Sequence, residues 1–203
     1  QYGHGLFGAQ EEARNDWLRQ MAERKGFAIL AVDMEGFSEE DIGIWGVVLT
    51  ADVSAFPTVA QRPLQGVATH LAIQRMVSRL AKDTDARFTR EGGESALDAS
   101  RLRYYGNSQG GTIGNILMAM SADVERGVLG VPGAAYALLL NRSVLFKDFA
   151  GIISIPFPDA RDFVAMFGLL QTGFNGLEPL NFVQHIEAEP LPGSPAHRVL
   201  LQV

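Results

Sequence analysis

The sequence contains no cysteine, which excludes disulfides, thiolate zinc sites and a cysteine nucleophile. Basic residues are also scarce: 17 Lys and Arg stand against 23 Asp and Glu, leaving a net charge of −6. A phosphate backbone calls for a basic stripe, so no nucleic-acid partner is expected. Long hydrophobic runs are missing too. No stretch reaches the roughly 18 apolar residues of a membrane span, and neither a transmembrane segment nor a signal peptide is expected. Histidine is rare, with four in the chain and none in H-x₃-H spacing, so no metal site is expected. What remains is a chain of 203 residues, 47% hydrophobic and 20% charged. That describes a folded domain able to bury about 70% of its unfolded surface.

No repeat, low-complexity tract or linker interrupts residues 1–203, so one domain is expected. Apolar residues at helical spacing (Ala13, Trp17, Leu18, Met21, Ala22) predict a helix over 11–25, stopped by Gly26. The continuous apolar run 27–32 reads as a parallel strand buried on both faces and closed by Asp33. Residues 42–56 lean to helix, and 67–82 to an amphipathic helix containing His70. Strands are predicted over 102–105, 127–131 and 198–203, and a helix over 112–122. Residues 152–155 read as a short extended piece or a helical turn, and 159–186 as helix. Strands alternating with helices imply an α/β fold, a mostly parallel central sheet flanked by helices.

Two glycine motifs carry the chemistry. Gly3-His4-Gly5-Leu6-Phe7-Gly8 has the spacing of a dinucleotide fingerprint, with Asp33 as the acid that would hold a ribose. That reading makes an NAD(P)- or FAD-dependent oxidoreductase one alternative. The helix following the glycines opens on Gln10, Glu11 and Glu12, where a pyrophosphate needs positive potential, and this counts against it. The second motif, Gly106-Asn107-Ser108-Gln109-Gly110, is G-x-S-x-G between a predicted strand and helix. There a serine sits on a sharp turn, Gly106 and Gly110 let strand and helix approach closely, and the Gln109 N–H can face a developing oxyanion.

On His4-Gly5 and Gly106-Asn107-Ser108-Gln109-Gly110, taken with the order of elements, the sequence resembles the α/β-hydrolase superfamily of serine esterases and lipases. The resemblance implies Ser108 as nucleophile, Leu6 and Gln109 as donors of the oxyanion-hole N–H groups, and His4 and Gly5 as the oxyanion loop. It implies carboxylic-ester hydrolysis through an acyl-enzyme, with no cofactor and a small-molecule, hydrophobic ester as substrate. The superfamily order also requires an acid and then a histidine after the serine. Only His185 and His197 follow Ser108, and neither position fits a general base: His185 reads as part of a helical insertion, and His197 lies at the amino edge of the sheet. No triad acid or histidine is therefore assigned. Asp33, Asp52 and Asp148 read as edge, capping or surface acids.

The chain begins without Met and ends inside an apolar run, so the expectation is a domain cut at both ends, with acid and base outside it and weak or no turnover. A non-catalytic binding module on the same scaffold is the second alternative. Phe157, Phe163 and Phe167 crowd a stretch expected to form core or a cap over residues 156–190, lining a substrate pocket in the latter case.

Overall fold

The computed structural model describes residues 1–81, 88–144 and 146–203, and it is an α/β fold. Four strands form one parallel sheet in chain order, β1 (Tyr2–Gly3), β2 (Arg103–Asn107), β3 (Arg126–Gly130) and β4 (Arg198–Gln202). Tyr105 lies opposite Tyr2 on one side and Val128 on the other, and Val128 lies opposite Leu200. Helices α1 (Asp16–Lys25), α2 (Ile42–Ala51) and α3 (Phe56–Leu80) connect β1 to β2. Helix α4 (Gln109–Met120) connects β2 to β3, and α5 (Tyr136–Arg142), α6 (Lys147–Ser154) and α7 (Ala160–Phe174) lie between β3 and β4.

Alternation along β2 assigns the two faces. Tyr104 is buried and its hydroxyl donates to the Gly110 carbonyl at 2.7 Å, so this face receives α4. Tyr105 points the other way, where its ring meets Tyr2 and Trp17 of α1, each at a centroid distance of 5.7 Å. Eleven of the twelve α4 residues are buried, as expected of a helix enclosed on every side. Behind it lies an aromatic core. Phe37, Trp45, Tyr136 and Phe174 stack with centroids 4.9 to 6.4 Å apart, and α7 thereby shares the core of α2 and α5.

Several elements depart from expectation. Residues 27–32 form no full strand: one bridge joins Ala31 to Tyr2, and Phe27 is 47% exposed. Helix α3 starts at Phe56, eleven residues before the predicted start, and continues through Pro63, whose ring packs against Gly36. Its predicted end near Lys82 lies outside the described residues, as does the side chain of Asp148. The predicted helix over 159–186 stops at Phe174 and continues as short 3₁₀ turns, because Gly176 and Pro179 interrupt it.

Gly26 closes α1 in the left-handed region, at φ 69°. A β-carbon there meets no atom within 4 Å, so the cost of a side chain is backbone strain alone. Gly26→Ala is expected to lower stability by about 1 kcal/mol, read as a shift in the urea midpoint at unchanged slope.

Candidate active site

Ser108 sits between the last residue of β2 and the first of α4 with φ 54° and ψ −111°, a conformation that disfavours any side chain. Its N–H donates to the Gly130 carbonyl at 2.8 Å, locking the turn to β3. Strand and helix meet at van der Waals distance through glycines. A β-carbon on Gly106 would collide with the Gly110 carbonyl, and one on Gly110 with the Gly3 carbonyl. The Gln109 N–H is at the open amino end of α4, where the helix has no carbonyl to offer it. The Gln109 side chain is buried and donates from Nε2 to the Tyr136 hydroxyl at 2.9 Å.

The loop after β1 is held from both sides. His4 is fully buried; its Nε2 accepts the Met34 N–H at 2.7 Å, which places the ring proton on Nδ1, donated to the Gly5 carbonyl at 2.7 Å. The Gly5 N–H donates to the Glu12 carboxylate, which also receives the Tyr2 hydroxyl at 3.1 Å. Beyond Leu6 the backbone turns sharply: Phe7 adopts φ 54°, and its N–H donates to the Phe37 carbonyl at 2.8 Å. The Leu6 N–H meets no acceptor among the described residues. The same contacts weigh against a dinucleotide. The Asp33 carboxylate receives the Gln10 N–H at 2.6 Å, and the Glu12 carboxylate occupies the glycine turn where a pyrophosphate would need room and positive potential.

Leu6, Ser108 and Gln109 line one small cavity of about 50 Å³, together with Thr112, Val131, Leu139 and Ser143. The structure thus brings the three expected residues together and adds four that the sequence reading missed. Val131 follows β3 at the carboxyl edge of the sheet, the edge at which ligands bind in open α/β folds, and that position was its one available signal. Backbone strain gathers at the same place. Among the described residues the non-glycine positions at positive φ are Phe7, Ser108, Val131 (42°) and Ala135 (58°), each in the cavity lining or next to an element that forms it. Strain of this kind persists where surrounding contacts over-determine it, typically at functional sites.

The histidines lie elsewhere. His185 bonds the Glu189 carbonyl at 2.7 Å and the Gln184 side chain. His197 is buried and bonds the Val124 carbonyl at 2.7 Å. Because β4 is parallel to β3, His197 lies at the amino edge, a strand length of roughly 16 Å from the edge that carries Ser108. His70 faces Gln1 inside α3. Phe157, Phe163 and Phe167 are absent from the Ser108 cavity. Phe157 lines a separate apolar groove of about 520 Å³ between residues 53–57 and α7, while Phe163 and Phe167 pack ring against ring at 4.8 Å. Asp52 accepts the Ser54 N–H and hydroxyl, a cap for the 3₁₀ turn Val53–Ala55. No helix among the described residues is long and apolar enough to cross a membrane.

No protein-family model matches the chain, and no curated protein sequence matches it. Among solved structures it is similar to acetyl xylan esterase 1 from Thermoanaerobacterium sp. JW/SL YS485, with a TM-score of 0.48 and 15% sequence identity. The match covers 100% of this chain and 66% of the esterase, so the chain spans just under two thirds of that protein's length.

Proposed function

We propose that this chain carries the nucleophile and oxyanion hole of a serine carboxylic-ester hydrolase of the α/β-hydrolase type, acting on a small-molecule ester without a cofactor. The observation that carries the reading is Ser108, strained at a strand–helix turn and sharing one cavity with Leu6 and Gln109. In this mechanism the Ser108 oxygen adds to the ester carbonyl carbon, and the carbonyl electrons move to its oxygen. The Leu6 and Gln109 N–H groups hold that oxyanion, a contribution worth roughly 10²–10³ in rate per donor. Collapse expels the alcohol, and water then releases the acid from the acyl-enzyme. His4 and Gly5 act by fixing the loop, with the imidazole bridging it to Met34. Phe157, Phe163 and Phe167 have no part in this reading, since none lines the cavity.

No described histidine hydrogen-bonds Ser108, so the serine proton must go to solvent and turnover is slow. That same observation favours the second reading, a binding module that keeps the scaffold without the chemistry. Hydrolysis of p-nitrophenyl acetate with added imidazole distinguishes the two. The hydrolase reading expects a slow rate, roughly 10³–10⁴-fold above water, that added imidazole increases in the wild type but, beyond its own rate in free solution, not in Ser108→Ala. Identical rates for wild type and Ser108→Ala, with and without imidazole, would overturn it in favour of the binding module.

A further inference from the structure

The cavity beside Ser108 is small and the helix and loop behind it are tied by hydrogen bonds, and we infer that the site accepts esters of short acyl groups, acetyl to propionyl, with Val131 and Leu139 setting the limit. This rests on the serine-ester reading above. At about 50 Å³ the cavity has about a tenth of the volume of the separate apolar groove and lies far below the roughly 300–1,000 Å³ of sites that take larger ligands. A carbonyl group at the two N–H donors with a short acyl stub suits a space of that size. A longer chain has to displace Val131 or Leu139.

Those walls are held in place. Helix α5, which carries Leu139 and supplies Ser143 just beyond its end, is tied to the serine turn by the Gln109 bond to Tyr136. Its amino end is anchored by the buried Glu178 carboxylate, which accepts the Ala135 N–H at 2.7 Å and the Tyr136 N–H at 3.1 Å. The loop before it is pinned by the Gly133 N–H, which donates to Thr112 Oγ1 at 2.9 Å. Val131 supplies independent support. A β-branched residue at φ 42° is strained where glycine would be relaxed, and Val131, although half exposed, nonetheless lines the cavity. The larger apolar groove shares no lining residue with this cavity, so it offers a long chain no continuation from Ser108.

The test compares two fluorophosphonates that differ only in a methyl or an octyl group on phosphorus, with Ser108 modification followed by mass spectrometry. In either reaction the Ser108 oxygen–phosphorus bond forms as the phosphorus–fluorine bond breaks; fluoride leaves with the electron pair and the hydroxyl proton passes to water. The ratio of the two rates is the readout, and it is independent of how slow both are. The methyl probe is expected to react at least about tenfold faster. Val131→Gly, which relieves strain and so should fold, and Leu139→Ala are each expected to narrow the gap. Equal rates at Ser108 in the wild type, or an unchanged ratio in both variants, overturn the acyl limit while leaving the serine reading intact. Folded protein that neither probe modifies at Ser108 overturns both.

Discussion

Gly110→Val is expected to yield no cooperatively folded protein at 25 °C, a loss of about 4 kcal/mol or more. The reason is where the new β-carbon goes. It would run into the Gly3 carbonyl and stand 2.9 Å from the His4 carbonyl oxygen, and both obstacles are backbone, unable to rotate aside. Relief requires β1 to lift off α4. That separation opens the sheet beside Tyr104, whose hydroxyl bonds the Gly110 carbonyl, and pulls the Leu6 loop away from Ser108. The close approach is thus what sets the two oxyanion donors on one cavity. Gly168→Ala is the matched control. Gly168 lies within α7, and a β-carbon there meets nothing within 4 Å. Alanine's better helix propensity should make that variant as stable as wild type or up to about 1 kcal/mol more so. Circular dichroism during thermal and urea unfolding reads both. A Gly110→Val protein melting within about 4 °C of wild type would show that β1 does not press on α4 as described.

What could be read from the sequence was local. The strand–serine–helix unit declares itself through five consecutive residues, and Gly26 through its place after an amphipathic run. Contributions from distant segments could not be read in this way. Residues 27–32 have the composition of a buried strand, but strandedness depends on the partner, and in the fold only Ala31 bridges β1. Pro63 looks like a boundary when read alone, whereas in the fold Gly36 receives its ring and the helix runs on. The serine half of the cavity was legible as a motif. Its far wall, Val131, Leu139 and the Tyr136–Glu178 anchor, comes from residues 20 to 70 positions away with no motif of their own. The four histidines show the same divide. Their number and spacing argued against a metal, but only the packing reveals that His4 bridges two loops and that His70 is fully buried.

His70 leads to the second large effect, a loss of stability of about 3 kcal/mol as pH falls from 6.5 to 4. Its Nδ1 faces the Gln1 amide nitrogen at 3.0 Å. Gln1 continues a buried chain, its Oε1 accepting from Gln74 Nε2 at 2.7 Å, and Gln74 Oε1 accepting from Ser121. An imidazole accepting at Nδ1 in this setting is neutral. Burial pushes its pKa down to about 4 from an ordinary 6.5, with the neighbouring His4 ring adding to the shift and Asp33 opposing it. The folded state therefore binds the proton less readily than the unfolded chain. Between pH 6.5 and 4 the unfolded state holds more protons at His70, so the contribution of His70 to stability is full above about 6.5 and declines until the folded imidazole titrates near 4. His197 is shifted in the same direction, by burial working against the Val124 carbonyl and Glu125, and reinforces the trend. Asp41 acts at lower pH. Burial alone would raise its pKa, but hydrogen bonds from Ser38 and the charge of Arg62 outweigh that and hold it below 3.8, so its contribution is lost only beneath this window. Urea unfolding at pH 7 and pH 4.5 in wild type and His70→Gln isolates the histidine. Gln keeps a polar group of similar reach and cannot be protonated, so the variant should lose markedly less stability between the two pH values, whatever its stability at pH 7. An acid loss equal to that of wild type would show that His70 is protonated as readily in the folded protein as in the unfolded chain.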